Sequence, residues 1–375
     1  MNLNNLVEQL KNQAAQKFDV VVPSKNLDWR NNQLVINTDI FNPTIDAILA
    51  KNNIVREAHK SNNTFDLTDT FRHQIAEKLG IPYAYFDRMW VEAPDLLEEN
   101  IRWWLMCADK NYLVRSFLTS NGGLARAFLS DGFKIIDHID VLMTALNGIQ
   151  QSGAKVNIEE CTLSEKSMRI KVVDPTHHDN EELKRQLTVM ENAGANIDGK
   201  GYASGFIIGN SETGEGRFYI SPLVYTFACR NFHIFRSMEM SRVHLGSKQV
   251  EGVIEWSQET MNKEMALIQS QVKDAVHTFL APEFLGRMVG TMLKAQMTPI
   301  KQPTTDVPSI LKNYNLSEKT SEDILNHFIQ GGNITVMGLS EAVTRYANTA
   351  CDDVDIRNDL EELGEKILET VEVLK

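Results

Sequence analysis

Three pairs of short apolar segments, each joined by a few turn-forming residues, occupy the middle of this 375-residue chain. The pairs are 112–119 with 124–130, 155–162 with 167–173, and 202–208 with 217–221. The first pair flanks Ser120-Asn121-Gly122-Gly123, and residues of this kind favour tight turns between antiparallel strands. The pattern therefore predicts β-hairpins and an antiparallel sheet.

Helical patterns lie on both sides of the predicted hairpins. They cover 3–17, three segments of 68–108 separated by Pro82 and Pro94, 137–151, about 250–280, a short segment after Pro282, and four segments beyond residue 308. Short strands are predicted at 18–22 and 33–37, with a turn region at 23–32. The succession favours an α+β fold over a doubly wound α/β fold: an antiparallel sheet core built from hairpins with flanking helices, one long helix, and a C-terminal helical unit.

Three regions follow from this order. We predict a mostly helical N-terminal region over 1–110 and an α+β core over 111–298, which includes the long helix 250–280. Prolines at 299, 303 and 308 indicate a linker, after which an acidic helical unit covers 299–375.

The long helix carries an apolar seam with heptad spacing. One row has Ile254, Met261, Ile268 and Ala275, and the other has Met265, Val272 and Phe279. The seam has two interpretations. Either it packs against the protein's own sheet, or it forms a coiled-coil or subunit contact.

The composition, with 42% hydrophobic and 23% charged residues, is that of an ordinary globular protein. No apolar run approaches the roughly 20 residues that span a bilayer, and residues 1–17 lack the features of a signal peptide. We therefore expect a cytoplasmic protein without a membrane partner. Four widely spaced cysteines predict buried reduced thiols rather than disulfides or structural zinc.

The net charge of −12 is unevenly distributed. From residue 301 onward, 7 basic and 14 acidic residues give −7, whereas over 199–250, 6 basic and 3 acidic residues give +3. Because salt screens distant charges, the local field matters more to a ligand than the total. The distribution argues against indiscriminate polyanion binding and permits nucleic-acid binding by one basic region.

Familiar motifs of catalysis are absent from the sequence. The loop 209–216 has the glycine spacing of a phosphate-binding loop, but Glu215 stands where that motif requires lysine. The segment 75–86 is similar to a helix-turn-helix core, but its second helix offers only Arg88 as a basic residue, so a structural helical corner is the favoured interpretation. Acid pairs such as Glu159-Glu160 and Glu361-Glu362 are interpreted as solvated charges. No catalytic residue, metal ligand or cofactor is predicted.

A stretch that mixes basic and aromatic residues, 217–248, is the best candidate for a binding surface. It contains Arg217, Tyr219, Arg230 and Arg236, and Arg126 and Lys134 extend it from an earlier strand and turn. Single-stranded nucleic acid is commonly held by cations along its phosphates and aromatics against its bases. The alternative is a half-buried strand with its aromatic side chains directed inward.

Several motifs occur in the order typical of a family of phage and plasmid proteins. They are Met89-Trp90-x-x-Ala93-Pro94 with Asn100 and Trp104-Leu105; Ala125 to Asp131; Asn210-Ser211-Glu212-Thr213-Gly214-x-Gly216; Cys229-Arg230-Asn231; and Ala342 to Ala347 followed by 361–368. Over about 67–368 the chain resembles the domain-of-unknown-function family 932. Members usually have glycine after the Cys-x-Asn motif, where this chain has Phe232. The resemblance implies a mobile-element and intracellular context, with recombination or replication genes as neighbours, but no reaction.

Three functions follow as hypotheses. The leading one is a cytoplasmic phage or mobile-element protein that binds or anneals single-stranded DNA and self-associates. The second is a protein-binding module that acts through helix 250–280 or the acidic C-terminal helices on a host or phage complex. The third is an enzyme with a site not visible in sequence, which a cleft with two or more convergent carboxylates or histidines would favour.

Overall fold

The structure, a computed structural model, describes residues 1–37, 42–54, 63–120, 122–176, 181–195, 201–227, 231–242, 252–253 and 258–372. The elements of the first third are α1 (Leu3–Gln16), β1 (Lys17–Pro23), β2 (Leu27–Arg30), β3 (Gln33–Ile36), α2 (Asn42–Lys51), β4 (Thr64–Leu67), α3 (Asp69–Leu79), α4 (Tyr83–Glu92), α5 (Pro94–Cys107), β5 (Asn111–Thr119) and β6 (Gly122–Ser130).

The middle of the chain forms α6 (His138–Ser152), β7 (Asn157–Leu163), β8 (Met168–Val173), α7 (Glu181–Asn192), β9 (Tyr202–Asn210), β10 (Phe218–Thr226), β11 (Asn231–Ile234), β12 (Met240–Arg242) and β13 (Gly252–Val253). The remainder is helical: α8 (Gln258–Phe279), α9 (Pro282–Gln296), α10 (Pro303–Lys312), α11 (Glu318–Gly331), α12 (Val336–Ala350) and α13 (Val354–Glu369).

The strands form two separate sheets. The first has the order β13-β1-β5-β6-β4-β3-β2 and is antiparallel except for the β4–β6 pair. The second has the order β11-β10-β9-β8-β7, with β12 paired to β10, and all its pairs are antiparallel. All three predicted hairpins are present. The predicted α+β class, with hairpins, flanking helices, one long helix and helices at the C-terminus, is confirmed.

Each sheet has its own apolar core. The first sheet packs against α2 to α5 around Trp29, Phe65, Phe71 and other buried side chains. A larger core extends from Leu6 on α1 to Val371 just after α13 and includes Val307 of α10. The second sheet and the C-terminal helices therefore share one hydrophobic core.

The apolar seam of the long helix packs inside this larger core. Ile268, Val272, Ala275 and Phe279 are all buried there, and a side chain on Gly148 of α6 would clash with Val272. Among the described residues, the seam therefore packs against other elements of the same chain. Ile254 lies outside the described residues.

Several predicted boundaries were wrong. The turn region 23–32 contains strand β2, and the long helix begins at Gln258 rather than 250, since 252–253 pair with β1 as strand β13. The proline-containing linker forms α10, with Pro303 at its first turn, where the missing N–H costs no helical bond. Among the described helices, none is both long and apolar enough to cross a membrane.

Candidate functional site

A cleft of about 710 Å³ lies beside the connection between β9 and β10, and this volume is in the range of small-ligand sites. Four parts of the chain form its walls. They are Phe133, the turn between β7 and β8 with the start of β8, residues from 210 to 219 together with Arg236, and the first half of α13. Most of the lining side chains are charged or polar, with equal numbers of cations and carboxylates: Lys166, Arg169, Arg217 and Arg236 against Glu215, Asp355, Asp359 and Glu362.

The cations of the cleft differ in how firmly they are held. Arg217 donates from Nε to Glu239 Oε1 at 2.9 Å, and Arg236 Nε lies 3.0 Å from Oε2 of the same carboxylate. Glu239 therefore holds two guanidinium groups side by side. Lys166 is exposed, and its ammonium group has no ion pair within the part of the chain that the structure describes. Exposed cations of this kind are free to contact an anion.

One face of α13 forms the opposite wall. Asp355, Asn358, Asp359 and Glu362 have the spacing i, i+3, i+4 and i+7, which places their side chains on one side of a helix. The helix begins beside the cleft because Asp353 caps it, accepting backbone N–H groups in the first turn at 2.8 and 3.0 Å. The cap thus positions the acidic face.

The carboxylates of this face are in different states. Glu362 pairs with Arg169 at 2.8 Å, and Asp355 accepts a hydrogen bond from the Ser164 hydroxyl at 2.6 Å. Asp359 makes no hydrogen bond or ion pair among the described residues. Burial of its carboxyl group, together with the negative charge of Glu362, raises the pKa of Asp359. Asp359 is therefore the carboxylate most available to a ligand.

Tyr219 is fixed in the cleft wall by a close approach to glycine. Arg169, Gly209 and Tyr219 form a row across strands β8, β9 and β10. A Cβ on Gly209 would lie 2.1 Å from the Tyr219 ring, so only glycine leaves room for the ring there. The Arg236 guanidinium covers the ring at 3.5 Å from its centroid, and burial raises the pKa of the phenol.

Several buried polar atoms without a hydrogen-bond partner lie in these walls. Among the described residues they include the Tyr219 hydroxyl, both polar atoms of the Asn358 side chain, Asn210 Oδ1 and Arg236 Nη1. Buried polar groups are normally paired, because an unpaired one costs roughly 1–3 kcal/mol. These unpaired atoms beside a cleft indicate a place for a polar ligand or for ordered water.

The connection between β9 and β10 also has an inner side, where Glu212 is buried. The Glu212 carboxylate accepts hydrogen bonds from Arg126 Nη2 at 3.0 Å and from the backbone N–H of His138 at 2.6 Å. Its main-chain carbonyl accepts from Arg115 Nη1 at 2.8 Å. Gly214, two residues on, has φ of +81°, which favours glycine. These contacts fix the cleft-lining loop from behind.

Arg115 is the centre of this inner network and is fully buried. It binds Asp19 Oδ2 at 2.9 Å and Asp137 Oδ1 at 2.6 Å, and Lys17 also pairs with Asp137. The pairing of β5 with β6 shifts directly after Arg115, with Arg126 as the extra residue on β6, and a bulge of this kind bends the strand that carries it. Although burial disfavours the charged form of Arg115, Asp19 and Asp137 raise its pKa, so the guanidinium stays charged.

The carboxylates of Asp137 and Glu212 are ionised for the same reason. Burial alone would raise the pKa of Glu212, yet the neighbouring positive charges of Arg115 and Arg126 lower it. Burial lowers the pKa of His138, whose Nδ1 lies 3.0 Å from the Asn210 amide nitrogen; a neutral imidazole accepts that hydrogen bond. The network consists of buried ion pairs and serves as a structural anchor, although Asp19 Oδ1 and Arg126 Nε have no hydrogen-bond partner among the described residues.

The structure brings together only part of the predicted nucleic-acid surface. Arg217, Tyr219 and Arg236 line the cleft. The Arg126 side chain is 8% exposed and belongs to the inner network, while Lys134 pairs with Glu264 of α8; neither lines the cleft. Arg230 lies outside the described residues. Tyr219 is buried as the alternative interpretation predicted, with Arg236 on its face.

The family-motif loop divides between the two sides. Asn210, Ser211, Gly214 and Gly216 line the cleft, whereas Glu212 is directed into the inner network. Some motif residues thus line the cleft, and Glu212 fixes the same loop to the inner network. The resemblance alone did not indicate this division.

Sequence reasoning missed half of the cleft. Lys166, Arg169 and the α13 face lie far along the chain from 217–236, so no local pattern joins them. The spacing of Asp355, Asn358, Asp359 and Glu362 on a predicted helix was the available signal.

The interpretation of the acid pairs as solvated charges was also wrong for one of them. Glu361 is 1% exposed and binds Lys171 Nζ at 2.6 Å, and Glu160 binds the same ammonium at 2.7 Å. This buried triad holds α13 against β7 and β8 and so fixes the acidic cleft wall. Of the cysteines, Cys161 is buried as predicted, but Cys107 is exposed.

Within the described residues, no three His, Cys, Asp or Glu side chains have an arrangement that suits a metal ion. Comparison of the chain with family models, with curated proteins and with solved structures found no match. The resemblance to the domain-of-unknown-function family 932 stays a prediction.

Proposed function

We propose that this protein binds single-stranded DNA in the host cytoplasm, as an accessory of phage or mobile-element recombination or replication, and that the cleft is its phosphate-contacting site. One observation carries the proposal. Lys166, Arg169, Arg217 and Arg236, from three segments of the chain, converge on a cleft of a size that suits one nucleotide. Cations in a groove are the usual means of following a nucleic-acid backbone.

The charge balance of the cleft limits how many phosphates it contacts. Four cations face four carboxylates, and Arg169, Arg217 and Arg236 each have a carboxylate partner. A long run of phosphates would meet almost no net attraction. We therefore expect one or two phosphate contacts, centred on Lys166 and Arg217. The affinity should depend only weakly on salt, with a slope of log Kobs against log[salt] of about −1.4 for two contacts.

Access favours a single strand over a duplex. The Tyr219 ring is covered by Arg236 on one face and packed on Gly209, so it contributes a polar edge rather than a stacking surface. A base that enters a cleft of this volume must be unpaired, because a paired base is enclosed in its stack.

The test is fluorescence anisotropy with a labelled single strand, the matching duplex and RNA of the same sequence, at low and at physiological salt. We expect the single strand to bind more tightly than the duplex, with the shallow salt slope given above. Absence of binding to any single strand at low salt, where the attraction is strongest, would contradict the proposal.

The acidic face of α13 favours a second candidate function, catalysis. Asp355, Asp359 and Glu362 converge on the cleft, which is the arrangement that a hidden enzyme site would have. A carboxyl group with a raised pKa, such as that of Asp359, suits general acid catalysis. Cleavage of a labelled single strand by the protein, abolished in Asp359→Asn, would support a phosphodiesterase; an intact strand after prolonged incubation with and without divalent cations would exclude that reaction.

An exposed apolar surface on α5 favours the third candidate, a protein-binding module. Trp103, Met106 and Leu96 are 58%, 65% and 49% exposed, and their spacing places them on one side of the helix. Exposed apolar side chains grouped in this way often mark contact sites. The Trp103→Ser/Met106→Ser variant should no longer bind any specific partner; unchanged sedimentation and partner capture would argue against this surface.

A further inference from the structure

The two walls of the cleft carry opposite charge, and a phosphate accounts for only one of them. Lys166 and Arg217 suit an anion, but Asp355 and Asp359 on the α13 wall would repel it. A ligand that fits both walls has an anionic part and a part rich in hydrogen-bond donors. Among the DNA bases, adenine, cytosine and guanine carry an exocyclic amino group that supplies such donors, whereas thymine offers only its ring N3–H.

Asp359 is the acceptor best placed to meet that amino group. Glu362 is already paired with Arg169, and Asp355 already accepts from Ser164. Asp359 lines the cleft with its acceptor capacity uncommitted among the described residues.

Asn358 is an independent observation on the same wall. Its residue is 2% exposed, it lines the cleft, and neither its amide nitrogen nor its carbonyl oxygen has a partner among the described residues. An asparagine amide offers one donor side and one acceptor side, which matches the N7 and N6 edge of adenine. A carboxylate accepts in the same way from the N4 amino group of cytosine.

We propose that the cleft selects amino-bearing bases, adenine and cytosine, over thymine, with Asp359 accepting from the amino group and Asn358 reading the adjacent acceptor. The inference rests on the proposed binding of single-stranded DNA and adds its base preference. Thymine is disfavoured because its O4 carbonyl, an acceptor, would face the Asp359 carboxylate.

The test compares the affinities of oligo(dA), oligo(dC) and oligo(dT) of equal length for the wild-type protein and for Asp359→Ala, measured by fluorescence anisotropy at neutral pH. Asp352→Ala is the matched control, since it removes an exposed carboxylate just before α13 that does not line the cleft. The change in base preference on mutation, rather than the preference itself, is the readout, because the homopolymers differ in their own stacking.

For the wild type we expect oligo(dA) and oligo(dC) to bind roughly 5- to 100-fold more tightly than oligo(dT). Asp359→Ala should remove most of this preference and bind oligo(dT) no more weakly than the wild type does, while Asp352→Ala keeps the preference. Equal affinities for all three strands, or a preference that Asp359→Ala leaves intact, would overturn the base preference and leave single-strand binding in place. Failure of all three strands to bind at low salt would instead overturn the proposed function, and the base preference with it.

Discussion

The inner and outer sides of the loop between β9 and β10 differ in the burial and pairing of their charged groups. On the inner side, Glu212 and Arg115 are buried, and each is bound to groups of opposite charge or to backbone donors. On the outer side, Arg217 and Lys166 are exposed, and the wall behind them contains buried polar atoms without partners among the described residues. A few residues of one loop thus separate a network of buried ion pairs from a cleft with exposed cations.

The difference teaches how to assign a role to a cation. In the sequence, Arg126 and Arg217 are equally plausible contacts for a phosphate. In the structure, Arg126 is committed to Glu212 and covers the Phe117 ring at 3.7 Å, so it stabilises the fold. Arg217 also has a carboxylate partner, Glu239, but it is 46% exposed and so remains accessible to a ligand. Burial, not residue type, decides between the two roles.

The largest expected effect is on the inner side. Arg115→Ala leaves Asp19 and Asp137 buried without their main partner, and removing one member of a buried ion pair typically costs about 3–5 kcal/mol. We expect a decrease of that order in the free energy of unfolding, measured by urea denaturation. Arg217→Ala is the matched control and should change it by no more than about 0.5 kcal/mol. Equal decreases in the free energy of unfolding for the two variants would contradict this difference between the inner and outer sides of the loop.

His233, a buried histidine, provides a second test of how a buried polar group without hydrogen-bond partners affects stability. Both ring nitrogens of His233 lack partners among the described residues, and burial lowers its pKa to about 4. As the pH falls, the unfolded state, with a histidine pKa of about 6.5, binds a proton before the folded state does. Stability therefore decreases between about pH 6.5 and about pH 4. The decrease should be on the order of 3 kcal/mol.

Unfolding measured between about pH 7 and pH 4.5 tests this expectation. His233→Leu removes this titrating group, so the readout is the difference between the wild-type and variant profiles. His138, whose pKa burial also lowers, adds a slope of the same sign to both profiles, and Glu341, whose pKa burial raises, adds a slope of the opposite sign to both. Equal slopes for the two proteins would contradict the lowered pKa of His233.

Gly209→Ala tests the packing of the cleft wall. The new Cβ would lie 2.1 Å from the Tyr219 ring, which must then move and so disturb its contact with Arg236. Overpacking of this kind typically costs about 1–3 kcal/mol, and single-strand affinity should fall as well. Gly216→Ala is the control, because its Cβ would meet only Ser211 Cβ at 3.4 Å. Similar stabilities for the two variants would contradict the packing described above.

Much of the fold was predictable because its signals are local. Proline positions and turn-forming residues located the hairpins and the helices of 68–108, and these elements obey short-range rules. Strand β2 and the first half of helix α10 were missed because turn-forming and helix-breaking residues surround them, while Leu27, Trp29 and Val307 are buried in the cores. Tertiary burial outweighed local preference at those positions.

The candidate site was predictable only in part. Arg217, Tyr219 and Arg236 are close in sequence and were identified together. Arg169 and Asp359 are separated by nearly the whole C-terminal half of the chain, and only the packing of α13 against β8 brings them to one cleft. The sequence also offers no means of telling that Arg126 is buried, since its partner Glu212 is 86 positions away.

The most direct test of the account compares single-strand binding by the wild type, Lys166→Ala/Arg217→Ala and Lys263→Ala across a series of salt concentrations. Lys263 is a control because it is an exposed lysine of α8 outside the cleft. If the cleft holds the strand, the double variant should bind more weakly at every salt concentration, and the magnitude of its salt slope should decrease by about 0.7 for each phosphate that is no longer neutralised. A double variant with the affinity and slope of the Lys263→Ala control would show that the strand binds elsewhere.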